Sequence, residues 1–215
     1  RNGGGRRRGC ASPRVTQQMI GLGLLEAIEG ADILAGADPD DADGDGISGR
    51  PNHVWSLEHN KVMLGRFGWK AGQPSLMEQS AGAFAGDIGI SSPLAPEPWG
   101  DCTPAQADCR NVPHGASLAV SADIMAMPLE RTPPELSADI MDMLLFYGRN
   151  LAVPARKARG ARAVLRGKAL FYGAGCIGCH RPKFAPARDY AVSALEGQLI
   201  WPYTDLLLHD MGEGL

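Results

Sequence analysis

The feature that most constrains this chain is a pair of cysteines followed at once by a histidine, Cys176-Ile177-Gly178-Cys179-His180. Two thiols at this spacing lie about one helical turn apart, so both can add across the vinyl groups of one haem. The adjacent imidazole is then held under the iron. The motif therefore predicts covalently attached haem c, anchored by Cys176 and Cys179, with His180 as an iron ligand.

The residues before the motif support this interpretation, and two alternatives compete with it. Gly167-Lys168-Ala169-Leu170-Phe171 precedes the first thiol at the offset of a cytochrome c helix that packs beside its haem. A thiol-disulfide redox pair would need a strand-to-helix context of the thioredoxin type, which this stretch lacks. A zinc site would need a second close pair of Cys or His ligands, and Cys102 and Cys109 are not spaced that way.

The ligand on the far side of the iron is less constrained by the sequence. A Met thioether there suits an electron carrier of raised potential, whereas an open or His-ligated position suits substrate binding or a lower potential. Two residues downstream of His180 are candidates for this ligand: Met211 is preferred, and His209 is the second choice. Trp201 and Tyr203 could wall the haem or relay charge, with apolar packing as the alternative for each.

Frequent glycine and proline predict a fold of short helices and long ordered loops. The chain has 28 Gly and 16 Pro in 215 residues and no long β run. We expect a mainly α protein: a cytochrome c-like haem domain with Gly/Pro-rich loops and a short β-hairpin. The expected parts are a disordered or fragment end over 1–12, a loop-rich helical region over 13–130, and a haem-binding region over 131–215 that is truncated.

Apolar periodicity places four helices and one hairpin along the chain. The first helix covers 15–28 and ends at Gly30; it should bury Val15, Met19, Leu22 and Leu25. Short strands around 54–55 and 62–64 form the hairpin. A helix from Pro74 and Ser75 to Phe84 turns Leu76, Ala83 and Phe84 inward, and a Pro-rich loop of about 25 residues follows it.

The two later helices lead towards the haem motif. Thr132-Pro133-Pro134-Glu135 matches a capping box and predicts a helix start there. Its predicted inward stripe consists of Leu136, Ile140, Met143, Leu144, Tyr147 and Leu151. The last helix should run from about Ala161 to Tyr172 with Val164, Leu165, Ala169 and Tyr172 buried, and Gly173 and Gly175 then release the backbone into Cys176.

An acidic loop matches the first half of an EF-hand-type calcium loop. In Asp41-Ala42-Asp43-Gly44-Asp45-Gly46, carboxylates occupy positions 1, 3 and 5, and glycine makes the turn at position 6. The carbonyl of Ile47 would be a further ligand. The twelfth position holds Asn52 instead of the bidentate Glu, so a solvated acidic turn is an equal alternative to a Ca²⁺ site.

The remaining cysteines and the charge bound the compartment and the partners. Haem attachment of this kind occurs outside the reducing cytosol, and in that oxidising environment Cys102 and Cys109 would form a disulfide. Cys10 is then either a free thiol or the partner of a group outside this sequence. A net charge of −3 gives no basic field for nucleic acid or anionic lipid, so small molecules and proteins are the expected partners. No apolar run approaches the roughly 20 residues of a membrane span.

Several further stretches resemble the di-haem oxidoreductase family, also labelled thiol oxidoreductase or peroxidase and related to bacterial di-haem cytochrome c peroxidases. The resemblance rests on residues 21–28, 43–50, 65–71, 151–156 and 201–215. It implies a larger periplasmic protein with two c-type haems that exchange electrons, with peroxide as a substrate. This sequence holds one attachment motif, so the resemblance implies that the other haem is attached before residue 1. It also implies that the distal iron ligand could come from sequence beyond Leu215 instead of from Met211.

Together these features predict a periplasmic c-type haem oxidoreductase that passes single electrons to a second haem domain and reduces hydrogen peroxide, with a redox protein as partner. No catalytic residue is identified. A non-catalytic electron carrier is one alternative. A calcium-stabilised structural or interaction module whose Cys176 and Cys179 form a disulfide is another.

Overall fold

The computed structural model of the protein describes residues 15–111, 133–188 and 190–212. Within these ranges it contains six α-helices and one two-stranded sheet, which confirms the mainly α class with a short hairpin. The predicted boundary near residue 130 and the terminal segment 1–12 lie outside the described residues. The elements, in chain order, are α1 Leu22–Glu26, α2 Gly30–Leu34, β1 His53–Ser56, β2 Lys61–Leu64, α3 Leu76–Ile88, α4 Ala107–Arg110, α5 Ala138–Asn150 and α6 Arg162–Gly173.

The hairpin forms where the alternating pattern predicts it. β1 and β2 pair antiparallel, with Val54 opposite Met63 and Trp55 opposite Val62. Ser56 at the end of β1 is fully buried, and its hydroxyl donates to the carboxylate of Glu78 on α3. The hairpin is therefore fixed to the helical part of the molecule by a buried hydrogen bond.

The first predicted helix is wrong in its extent. Of the predicted range 15–28, only the five residues of α1 are helical, and Gly30, predicted to end this helix, begins the separate helix α2. The guanidinium of Arg66 donates to the carbonyls of Leu25, Glu26 and Ile28, which a longer helix would need for its own backbone. The chain therefore breaks after Glu26, and Val15 and Met19, predicted to be buried, are exposed.

Helix α3 confirms the predicted start. Ser75 caps it by accepting a hydrogen bond from the backbone N–H of Glu78, and Leu76 is buried as predicted. The helix continues four residues beyond Phe84 and ends at Gly89, whose φ of 69° suits a glycine C-cap. Ala83 and Phe84 are half-buried.

Helix α5 begins later than the capping-box pattern predicts. Ser137 is its N-cap and accepts from the N–H of Ile140, whereas the carboxylate of Glu135 accepts from the backbone N–H and hydroxyl of Ser91. The predicted cap Thr132 lies outside the described residues. Glu135 thus joins two distant segments instead of closing the first turn of the helix.

The predicted rotation of α5 is wrong by one residue. Met141 is 2% exposed and Leu145 is also buried, whereas Tyr147 of the predicted stripe is 64% exposed. Met141, Leu145 and Arg149 share one face at a spacing of four residues. Because Arg149 must point inward to reach Glu26, it turns this face towards the core. The other predicted inward residues that α5 leaves exposed are Ile140, Met143 and Leu144.

A largely buried carboxylate, that of Glu26, lies at the centre of the helical packing. It accepts hydrogen bonds from Arg149 Nε at 2.5 Å, from the hydroxyl of Tyr190 at 2.5 Å and from the backbone N–H of Leu76 at 2.8 Å. Burial raises the pKa of this carboxyl, but the three donors outweigh burial, so the pKa of Glu26 lies below its ordinary value of 4.5. Glu26 is therefore ionised at neutral pH.

Two apolar clusters flank this carboxylate. Leu22, Phe67, Leu76 and Leu145 form the first, where α1, α3 and α5 meet. At that junction a Cβ on Gly23 would lie 2.9 Å from the Cα of Arg149, so α1 can approach α5 only with glycine at this position. The members of the second cluster are Ile28, Ile33, Phe184 and Leu206.

The predicted burial along α6 is wrong, although its predicted position is close. The helix buries none of its side chains; Leu165 is 53% exposed and Ala169 is exposed. The main packing of α6 against another described element is with the short turn that follows it. Its apolar residues therefore face outward, and Val164 and Tyr172 are at most half-buried.

The predicted disulfide between Cys102 and Cys109 forms within the long Pro-rich loop. The short helix α4 contains Cys109. The guanidinium of Arg110 stacks over the ring of Trp99 at 4.1 Å. Cys10 lies outside the described residues. None of the described helices is long and apolar enough to cross a membrane.

Replacing Glu26 with alanine should lower the free energy of unfolding by about 3 kcal/mol, because half-buried Arg149, the Tyr190 hydroxyl and the Leu76 N–H would all lose their shared acceptor. The ionised carboxylate stabilises the fold above pH 4.5, and this contribution disappears as the pH falls through the lowered pKa of Glu26. Urea unfolding at pH 7 and at pH 3 measures both effects. Glu97→Ala, an exposed control, should change stability by less than about 0.5 kcal/mol; equal effects of the two substitutions would contradict the role given to Glu26.

Candidate functional site

The Cys-Ile-Gly-Cys-His motif forms a compact turn directly after α6. Gly175 adopts a φ of 77° and starts a single 3-10 turn over Cys176–Gly178, as the glycines predict. The backbone N–H of His180 donates to the carbonyl of Cys176 at 2.9 Å and closes the turn. Both thiols are free and partly buried. The backbone therefore presents two sulfurs and one imidazole from a single turn.

The imidazole of His180 is oriented by a backbone carbonyl. Its Nδ1 lies 3.0 Å from the carbonyl oxygen of Tyr203. Because a carbonyl oxygen can only accept, Nδ1 carries the proton of the neutral ring and donates it, and Nε2 keeps its lone pair. A hydrogen bond of this kind is the usual support of a metal-ligating histidine. The ring of His180 is thus prepared to bind a metal through Nε2.

Tyr203 holds this carbonyl in place through an unusual backbone. Its φ is 54°, a left-handed conformation that costs a non-glycine residue on the order of 1 kcal/mol or more. The ring of Tyr203 packs edge-on against Phe171 at 5.5 Å between centroids, and Phe171 in turn lies 6.1 Å from the ring of His180. The ring of Phe171 therefore contacts both the ring of Tyr203 and the imidazole of His180.

A second histidine lies beside the second cysteine. His209 Nδ1 is 3.8 Å from the sulfur of Cys179, and His209 Nε2 is 2.7 Å from the buried carboxylate of Asp205. Both ring nitrogens of His209 thus already have partners within the protein. The spacing of four residues between Asp205 and His209 is visible in the sequence, but sequence reasoning did not connect it with Cys179.

The thiol of Cys179 is not activated. Burial raises its pKa above the ordinary value of 9.0, and the carboxylates of Asp205 and Asp45 raise it further. Catalytic thiols of disulfide oxidoreductases have lowered pKa values, since the thiolate is the nucleophile. Cys179 is thus in the opposite environment from that of such a thiol.

The acidic loop packs directly against the motif. Ile47 lies so close to Gly178 that a Cβ at residue 178 would be 2.5 Å from Ile47 Cδ1. The backbones of Arg50 and Leu208 exchange two hydrogen bonds, of 2.9 and 2.8 Å, immediately after the loop. The loop, the segment that carries His209, and the motif therefore lie together.

The carboxylates of the loop group differently from the calcium-loop pattern. Asp38, Asp41 and Asp43 offer oxygens within 4.8 Å of one another, whereas Asp45 is outside this group. The carboxylate of Asp45 instead accepts from the backbone N–H of Ile47 at 2.8 Å. Asp38 lies before the twelve-residue pattern, so the motif could not identify it. Calcium binding by Asp41, Asp43, Asp45 and the Ile47 carbonyl stays a prediction.

A cleft of about 1100 Å³ is lined in part by Tyr203, the residue whose carbonyl supports His180. Trp69, Trp201 and Tyr203 contribute aromatic lining, and Arg156 and Arg159 contribute positive charge. This places both aromatic candidates from the sequence, Trp201 and Tyr203, on one cavity. Met211 is 67% exposed, and its assignment as a distal iron ligand stays a prediction.

A protein-family model described as "Di-haem oxidoreductase, putative peroxidase" matches residues 9–215. No curated protein and no solved structure matches the chain.

Gly178→Ala should lower the free energy of unfolding by about 0.5 to 1.5 kcal/mol, because the new methyl group would overlap Ile47 Cδ1 and push that side chain away from its rotamer. In an Ile47→Ala background the same substitution should cost almost nothing, and this coupling identifies the contact. Urea unfolding of the four proteins measures it. Gly173→Ala is the matched control, since nothing lies within 4 Å of its new Cβ. Additive effects of the substitutions at 47 and 178 would refute the contact.

If the acidic loop binds Ca²⁺, Asp41→Asn together with Asp43→Asn should abolish the heat of Ca²⁺ binding in calorimetry, since both carboxylates belong to the cluster. Asp87→Asn with Asp142→Asn removes the same charge from exposed helix positions and should leave binding intact. Absence of Ca²⁺ binding by the unmodified chain would establish the solvated acidic turn instead.

Proposed function

Because the chain belongs to the di-haem oxidoreductase family, we propose that it carries covalent haem c at Cys176, Cys179 and His180 and passes single electrons to a second haem of the same protein. Hydrogen peroxide is the proposed terminal acceptor, reduced with two electrons and two protons to two molecules of water. The family establishes a haem oxidoreductase; the mode of attachment, the electron path and peroxide belong to the proposal.

One observation carries the proposal: the hydrogen bond from His180 Nδ1 to the carbonyl of Tyr203. This hydrogen bond leaves the lone pair of Nε2 available to bind a metal. The ring of Phe171 also contacts the imidazole. The two thiols lie in the same closed turn as this imidazole. This set of two sulfurs and one oriented nitrogen fits the attachment chemistry of haem c, so the residues suit the group that the family implies.

Each residue of the site has a defined task in this proposal. Cys176 and Cys179 anchor the porphyrin through thioether bonds, and His180 ligates the iron through Nε2. The Tyr203 carbonyl fixes the plane of the imidazole and makes it a stronger donor. Bound there, haem supplies reversible one-electron chemistry. Asp205 holds His209 against the Cys179 sulfur and keeps this side of the site packed.

The proposed compartment is the periplasm. Thioether attachment of haem takes place outside the reducing cytosol, and the disulfide between Cys102 and Cys109 is stable there. Met211 remains the proposed ligand for the far side of the iron.

Expression with periplasmic haem-attachment machinery should add roughly 616 Da, the mass of one haem, to the intact chain. Cys176→Ser with Cys179→Ser should remove this mass, whereas Cys102→Ser with Cys109→Ser should keep it. His180→Ala should retain covalent haem but change its Soret and α bands, because the iron loses its ligand. A mass without haem in the exported chain would refute the proposal.

The haem-loaded protein also distinguishes peroxide reduction from simple electron carriage. Stopped-flow mixing of the reduced protein with hydrogen peroxide should oxidise the haem in a peroxide-dependent phase. A reduced spectrum that peroxide leaves unchanged would assign the chain to electron carriage alone.

A further inference from the structure

The charges of this chain are strongly segregated along the sequence. Residues 151–188, which contain α6 and the haem motif, carry nine Lys or Arg side chains and no Asp or Glu. Residues 15–111 carry fourteen Asp or Glu against five Lys or Arg. The net charge of −3 therefore conceals a positively charged segment that contains the motif, although the acidic loop also packs against the motif at Gly178.

Most of this positive charge is exposed and concentrated in one segment of the chain. Six of the cations come from the segment before and along α6, and all six are exposed. No ion pair among the described residues involves any of them. We call this set the basic surface; it consists of Arg156, Lys157, Arg159, Arg162, Arg166 and Lys168.

The same helix exposes apolar side chains between the charges. Leu170 is 66% exposed, and α6 buries none of its residues. Exposed leucines among unpaired cations resemble the composition of a protein interface, with an apolar centre and a charged rim. Gly173, the last residue of α6, is separated from Cys176 by two residues, so this surface adjoins the proposed haem.

We propose that the basic surface is the docking site of an acidic redox protein that exchanges electrons with the haem at Cys176 and Cys179. Unpaired positive charge beside the motif attracts a negatively charged partner and orients it on encounter, which raises the association rate. The exposed leucines then contact the partner at short range. This inference rests on the proposed function, because it needs haem at the motif.

A compact acidic protein fits the charge distribution better than an extended polyanion or a lipid surface. Both of those also meet the strongly acidic region of residues 15–111, which would repel them. A compact partner that docks on α6 contacts less of that acidic region, although the acidic loop lies against the motif. Membrane lipid and a second copy of this chain are therefore outcomes that the experiment must separate.

The test uses one redox protein in two charge forms: cytochrome c, which is basic, and fully succinylated cytochrome c, which is acidic. Stopped-flow spectroscopy measures the rate of electron exchange between each probe and the haem-loaded protein at low and at moderate ionic strength. The test variant is Arg162→Glu with Arg166→Glu, two positions on one face of α6. The control is Lys61→Glu with Lys70→Glu, which makes the same charge change at exposed sites outside this surface.

With the succinylated probe at low salt, the Arg162/Arg166 variant should exchange electrons at least about tenfold more slowly than the unmodified protein. The Lys61/Lys70 control should change the rate less than twofold. Raising the salt concentration should slow the unmodified protein and remove most of the difference. The milder Arg162→Gln with Arg166→Gln should fall between the two, which keeps the test decisive if charge reversal disturbs folding.

Equal slowing by the two charge-reversal pairs, or faster exchange with the basic probe, would overturn the docking site. Two other results would also overturn it: binding to anionic phosphatidylglycerol vesicles, or salt-sensitive self-association in sedimentation. Either result counts if the Arg162/Arg166 variant loses that binding but exchanges electrons with the succinylated probe at an unchanged rate. Excess dithionite separates the two proposals: a haem that dithionite reduces but that shows no charge preference refutes the docking site alone. Absence of any reducible haem refutes the proposed function itself.

Discussion

The buried carboxylate of Glu26 is the interaction on which the rest of this fold depends. An ionised group in the interior is tolerated only when its oxygens have donors, and here the donors come from Leu76, Arg149 and Tyr190. Each belongs to a different part of the chain, so satisfying one charge fixes the start of α3, the end of α5 and the segment after the haem motif relative to α1. The rotation of α5 and the close contact at Gly23 both follow from this arrangement.

The site is assembled by a second set of constraints, made mostly by backbone atoms. Phe184 pairs with Ile200, and Arg50 pairs with Leu208, so the segment between 200 and 208 is held at both ends. That segment delivers the Tyr203 carbonyl to His180. The same pairing draws the acidic loop onto the motif, where Ile47 covers Gly178. The short turn that carries the sulfurs is thereby packed from one side by a loop more than a hundred residues away in sequence.

The sequence predicts what is encoded locally. The hairpin, the Ser75 start of α3 and the disulfide between Cys102 and Cys109 follow from alternation, capping chemistry and redox compartment, and the structure confirms them. The break after Glu26 could not be predicted, because Arg66, forty positions later, takes the carbonyls of the helix. Other failures have the same origin: one buried pair sets the rotation of α5, and no described element covers α6. In the site, the sequence identifies the motif residues. It cannot identify the Tyr203 carbonyl that supports His180, because every residue type has a backbone carbonyl. Asp38 lies outside the pattern that indicates calcium.

The tether of His180 to a main-chain oxygen has a consequence for how this site tolerates change. A side-chain partner could be removed by a single substitution, or could gain and lose a proton as the pH changes. The backbone oxygen at position 203 is present whichever residue is there, and it does not titrate. Evolutionary drift at that position can alter the contact with Phe171 without releasing the imidazole. Variation among relatives at residue 203 would therefore say little about whether the ligand is still supported, and the left-handed turn that aims the oxygen is the feature to compare.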